Sequence, residues 1–154
     1  MKINPIALAL CLGLAPIAAA AAAPVEQLLK FKTVLPADDF KIAPTTAWPA
    51  ATATTDLAYD KTKDTFTAYT NQVGITSATQ NVTARLENTA ALVAGPNSIP
   101  VEVKLGGKVL TTTAQQIHPK GAAEVKYPLN IIPTGKGHVA GTYTGEVVLI
   151  FDGV

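Results

Sequence analysis

The feature that most constrains this chain lies in its last fifteen residues, AGTYTGEVVLIFDGV. Tyr143, Val147, Leu149 and Phe151 fall on one face of a two-residue period, with Gly145 between them, which predicts a strong β-strand. A strand this apolar belongs inside a sheet, because an exposed edge of such length is an aggregation template. Another strand must cover it, and which strand that is decides what the chain can fold into.

The rest of the pattern is all-β. Thr, Val and Ala dominate, Gly and Pro punctuate, and no amphipathic helical stretch of convincing length occurs. Candidate strands are QLLKFKTVL, TDLAY, TFTAYTNQV, QNVTARLE, IPVEVKL, KVLTTTA, AEVKYPLNII and the terminal GTYTGEVVLIF. Short strands at this spacing predict a two-sheet sandwich of immunoglobulin-like type. Gly106-Gly107 suits a tight hairpin turn, which makes the flanking strands antiparallel neighbours. AGPNSIP (94–100) is expected to be a loop whose Pro100 opens a strand, and APTTAWPAATATT (43–55) an irregular connection.

The first residues, MKINP followed by IALALCLGL and a run of alanines, have the layout of a secretory signal peptide. Residues 1–22 are assigned to it, with cleavage expected within Ala20 to Ala23. A membrane anchor is the competing reading, disfavoured because half of the stretch is alanine and no basic stop-transfer cluster follows. Removal leaves about 130 residues, the size of one domain. The single cysteine, Cys11, falls in the leader, so the exported part has no disulfide, thiolate nucleophile or cysteine metal site. Twelve basic and eleven acidic residues nearly balance, and the lysines are scattered, which argues against a nucleic-acid partner.

Catalytic patterns are missing. His118 and His138 lie in turn-like surroundings and read as surface histidines rather than metal ligands. Ser77 and Ser98 sit in no nucleophile elbow. Asp38-Asp39 are neighbours in an extended segment and point to opposite faces. GGK at 106–108 is too short for a phosphate loop, and the NVT triplet at Asn81 lies at the head of an alternating strand. Trp48 reads as a core or rim residue, or as a sugar-stacking platform if exposed. No cofactor is called for.

Near the start, PVEQLLKFKTVLPADDF sets Leu29, Phe31, Thr33 and Leu35 against Lys30, Lys32 and Val34, and ends at Pro36, which cannot donate to a ladder. Such a strand adds itself to a sheet. The pattern alone does not distinguish a first strand of its own sandwich from one inserted into a neighbouring molecule.

Three stretches, DLAYDKTKDTFTAY, IPVEVKLGGKVLTTTAQQI and AGTYTGEVVLIF, in this order, resemble the major subunits of class 5 (alternate chaperone–usher, coli-surface-antigen type) fimbriae. The resemblance extends from about Asp56 onward, together with the N-terminal strand and Pro36. It implies an incomplete immunoglobulin-like sandwich, completed by a donor strand from a neighbouring subunit, and a structural rather than enzymatic role. It assigns residues 24–36 as the donor segment and 37–154 as the pilin domain. Leu29, Phe31, Thr33 and Leu35 become donor residues, and Tyr143, Gly145, Val147, Leu149 and Phe151 line or flank the acceptor groove, Gly145 leaving space for an incoming side chain. The implied partners are identical subunits in an open head-to-tail polymer, a periplasmic chaperone, an outer-membrane usher and a tip adhesin. The implied location is the cell surface, reached through the periplasm.

The expected function is therefore the major shaft subunit of a chaperone–usher fimbrium used in adhesion. The alternative is a self-contained secreted β-sandwich binding module, with Trp48 as a glycan contact, whose first strand folds back on its own sheet. An extracytoplasmic enzyme would need His118, His138 and a carboxylate gathered in one pocket.

Overall fold

In a computed structural model of the chain, residues 27–34, 40–45 and 54–154 are described. The leader, Leu35, Pro36, Asp38, Asp39 and Trp48 lie outside them. The described residues form no helix and twelve strands: β1 (Gln27–Val34), β2 (Phe40–Pro44), β3 (Tyr59–Asp60), β4 (Thr65–Phe66), β5 (Tyr69–Ser77), β6 (Val82–Leu86), β7 (Ala91–Ala94), β8 (Asn97–Leu105), β9 (Lys108–Val109), β10 (Gln115–His118), β11 (Val125–Pro133) and β12 (Tyr143–Gly153).

Two sheets face each other. One contains β10, β6, β12, β7 and the first part of β8, with β1 added on β12; the other contains the second part of β8, then β11, β5 and β2, with β9 hairpinned onto β8. The period-two pattern explains the layers. β6 alternates buried Val82, Ala84 and Leu86 with half-buried positions, and β8 buries Ile99, Val101, Val103 and Leu105 in the same rhythm. The inward residues of β6 and of the first part of β8 face Val73, Ile75, Leu129 and Ile131 of the opposite sheet, and with Val103 and Leu105 of that sheet and Tyr143, Val147, Leu149 and Phe151 of β12 they form one continuous core. The all-β sandwich expected from the sequence is the fold observed.

TDLAY, expected as a strand, contributes only Tyr59 to one, and three further expectations change. Residues 94–100 are not a loop: Gly95-Pro96 make a two-residue turn between paired Ala94 and Asn97, with Gly95 at φ 57°. Pro100 sits inside β8 where the strand passes from one sheet to the other, pairing Ala91 of β7 while Val101 pairs Pro133 of β11. A residue without an amide donor suits that handover. Second, only Lys108–Val109 of KVLTTTA forms a strand. The chain then leaves the hairpin and re-enters the first sheet as β10 beside β6. Third, His118 is not a surface residue. The pairing of β10 with β6 shifts register between Gln116 and His118, and with alternation broken both Ile117 and His118 turn inward, to 8% and 0% exposure. His118 Nδ1 lies 3.2 Å from Tyr127 Oη, a contact that joins the two sheets.

The Gly106-Gly107 hairpin stands as expected, with Leu105 paired to Lys108 and both glycines at positive φ, 60° and 82°. Their surroundings differ. A Cβ on Gly106 would come 2.8 Å from Tyr127 Cδ1, whereas one on Gly107 would meet nothing within 4 Å. Gly107→Ala should therefore cost only the left-handed backbone penalty, about 1–2 kcal/mol. Gly106→Ala should cost more, because the Tyr127 ring must also move. Urea unfolding of the two variants beside the parent checks the order.

Candidate functional site

The candidate site is the flank of β12. Its inward residues Tyr143, Val147, Leu149 and Phe151 are 2%, 2%, 1% and 0% exposed, so the strand lies at the centre of the core rather than at its rim. One side of its backbone is served within the sandwich. β6 pairs its end, Leu149↔Leu86 to Gly153↔Val82, and β7 pairs its beginning, Thr144↔Val93 and Gly145↔Leu92. These two antiparallel pieces form one interrupted strand, and across the interruption the Glu87 amide still donates to Val148 O at 3.0 Å.

The other side is covered by β1, parallel to β12 over its whole length. The register runs from Gln27↔Tyr143 to Val34↔Ile150, so Leu29 stands at Gly145, Phe31 at Val147 and Thr33 at Leu149. Of the residues singled out in the sequence, these three of β1 and these three of β12 come together; Tyr143 pairs Gln27, and Phe151 lies one position past the end of β1. On the outer face, exposed Lys30 is in register with exposed Glu146.

Gly145 does something other than leave room for an incoming side chain. A Cβ there would lie 2.3 Å from Ala91 O and 2.8 Å from Leu92 Cδ2, so the space is already taken by β7. The glycine is needed for the close approach of two strands that the sheet itself pairs. β7 went unrecognised in the sequence. The signal for it, Ala91-Leu92-Val93-Ala94 in front of the Gly95-Pro96 turn, is short and nearly uniform in polarity.

Beyond the Tyr143 end, the loop entering β12 is braced. Tyr143 Oη donates to Val139 O at 2.9 Å, and the His138 ring packs on Phe66 (5.2 Å between centroids) and edge-on to Tyr59 (6.2 Å). Asp64, at φ 53° in the β3–β4 turn, accepts hydrogen bonds from Tyr59 Oη and, at 2.8 Å, from the Gly137 amide. The bond from Tyr59, then that from Gly137, holds the Asp64 carboxyl below its ordinary 3.8, and the same bond raises the Tyr59 hydroxyl above 10.0. His138 is thus a half-buried packing residue. His118 and His138 belong to separate clusters, one with Tyr127 and the other with Tyr59 and Phe66. Among the described residues no three His, Cys, Asp or Glu side chains are grouped as metal ligands.

The model of the CS1 type fimbrial major subunit family matches residues 25–152. Among solved structures, the CooA pilin subunit from enterotoxigenic Escherichia coli is similar at 18% identity, with a TM-score of 0.52, covering 76% of this chain and 99% of that one. That likeness extends to the fold. No curated protein is similar enough in sequence to count as a relative.

Two outcomes follow. Gly145→Ala forces β7 away from β12 and should lower stability by about 2–3 kcal/mol in urea unfolding, at the upper end for overpacking because the clash is with backbone. A carboxyl whose folded-state pKa is depressed contributes stability above its unfolded value and loses it as pH falls through the folded one. The Asp64 brace should therefore be constant at neutral pH and loosen only below about pH 4, seen as a shift of the Gly137 amide in an NMR titration that Asp64→Asn abolishes.

Proposed function

This chain belongs to the CS1 type fimbrial major subunit family, and we propose that it is the shaft subunit of a chaperone–usher fimbrium, polymerising by donor-strand exchange to serve adhesion. Membership makes it a structural pilin subunit of a cell-surface fimbrium, not an enzyme. The finer reading rests chiefly on one observation: a core strand, β12, has only one side served by the sandwich, and its other side is served by a strand from the N-terminal segment.

That division makes the N-terminal strand exchangeable between molecules. Leu29, Phe31, Thr33 and Leu35 are the donor residues, and Tyr143, Val147, Leu149 and Phe151 form the wall they complete. Burial of three large apolar side chains contributes roughly 1.5–3 kcal/mol each before ordering costs. The ladder bonds add a smaller net term and remove an open edge. Because each subunit offers a donor at one place and an acceptor at another, the contact is heterologous and propagates as an open fibre. A periplasmic chaperone would protect the acceptor until an outer-membrane usher passes it the next subunit, with a tip adhesin at the fibre's end.

The self-contained binding module keeps one observation in its favour, the pairing of β1 with β12 of the same chain. Assembly separates the two readings. A chain with Phe31→Asp should fail to form fibres by electron microscopy, whereas Lys30→Ser, on the outer face, should assemble like the parent. A variant whose donor segment is moved behind a short linker after Val154 should be a stable monomer. If the unaltered chain never assembles at any concentration and relocation only lowers its melting temperature, the shaft-subunit reading is wrong.

A further inference from the structure

We infer that the unassembled subunit caps itself: β1 occupies its own acceptor side in a direction dictated by its tether, and assembly has to expel it. This inference rests on the shaft-subunit reading and adds a resting state to it.

The tether carries the argument. β1 ends at Val34, in register with Ile150, and β2 begins at Phe40 on the opposite sheet, paired with Ser77. Phe40 lies at the far end of β12, since a Cβ on Gly153 would be 3.3 Å from Phe40 Cδ1. Only residues 35–39 join the two strands, and six Cα steps reach at most about 20 Å. With β1 parallel to β12, its last residue is already at the Gly153 end and the tether closes. Reversed with Phe31 still at Val147, Val34 would stand at Thr144, about 30 Å along the strand from Gly153 at 3.3 Å per residue. The tether falls several ångströms short, so a strand from the same chain can enter only in parallel.

A strand from another molecule has no such tether to this Phe40 and can enter in either direction. Of the two, the antiparallel ladder is slightly the more stable per residue. The self-capped form nevertheless wins in dilute solution, because a short tether holds β1 at an effective concentration on the order of millimolar. Self-capping thus hides the open edge of β12 in a subunit that no chaperone holds, and leaves an exchange that gains ladder quality once a donor is supplied at high local concentration.

The test uses the full chain as purified after export. Lys30→Cys with Glu146→Cys places thiols at exposed, directly paired positions of the parallel register. Oxidation of the monomer should give a within-chain disulfide, identified by peptide mapping, at a rate independent of protein concentration. Lys30→Cys with Thr144→Cys, two positions out of register, should not close, because its Cα separation exceeds the disulfide limit of about 7 Å. The oxidised 30–146 monomer should assemble at least about a hundredfold more slowly than its reduced form, the size expected when a millimolar tethered strand can no longer yield to a micromolar one. In the unaltered monomer, hydrogen exchange should be slow at Val147 and Leu149, whose amides face β1 because Val148 between them faces β6. Self-capping is overturned if those amides exchange as an open edge, if the 30–146 pair stays reduced in a folded monomer, or if the oxidised monomer assembles as fast as the reduced one. In each case fibre formation by the reduced chain would leave the shaft-subunit reading intact, whereas a reduced chain that never assembles overturns that reading and, with it, the inference.

Discussion

The second side of β12 is the constraint on which the rest depends. An eleven-residue strand whose inward side chains form the middle of the core cannot be left with half of its backbone groups open: each unpaired amide or carbonyl shut away from water costs about 1–3 kcal/mol, and each one left in water is an edge for aggregation. The sandwich serves one side with the interrupted pair β6 and β7, and the other is met by β1. The core residues of both sheets pack against β12. Whatever pairs that second side therefore helps hold Ile75, Leu129 and Ile131 as well as its own neighbours.

Much of this was legible in the sequence, and the parts that were not have physical reasons. β6, β8 and β11 alternate in burial for five residues or more, and β12 keeps the same period apart from buried Val148, so their faces could be read directly. β7 and β10 are four residues each and lack alternation, and β2 is five residues whose last two, Ala43 and Pro44, open the stretch that reads as irregular. Pro100 looked like a boundary because prolines usually are; it instead marks a point where one strand changes sheets, which depends on pairing partners that no local pattern names. The burial of His118 follows from a bulge, and a bulge is a mismatch between two strands, invisible in either alone.

Gly145 shows the same limit at the site itself. Its place between apolar residues suggests a gap, and a gap beside a groove suggests a guest. The atoms that fill it, Ala91 O and Leu92 Cδ2, lie more than fifty positions earlier in the chain, so only the assembled sheet shows that the space is taken. The glycine then reports on how β12 meets β7, while the β1 side is left to the apolar residues around it.

Alternation and tether specify different things about β1. Because side chains alternate with a period of two, a slip of one residue would set Lys30 and Lys32 where Leu29 and Phe31 belong, so register parity is fixed by the apolar pattern. Reversal of the strand is another matter. In the observed parallel register Leu29, Phe31 and Thr33 meet Gly145, Val147 and Leu149. Run antiparallel with Phe31 still at Val147, the same strand sets Leu29 at Leu149, Thr33 at Gly145 and Leu35 at Tyr143, and every odd-numbered residue again meets an odd-numbered one. The sequence of β1 thus admits both directions equally, and direction is decided outside it, by whether residues 35–39 attach the strand to the subunit it enters. One stretch of chain can serve its own subunit and a neighbour with the same side chains, which a strand matched to a single direction could not do.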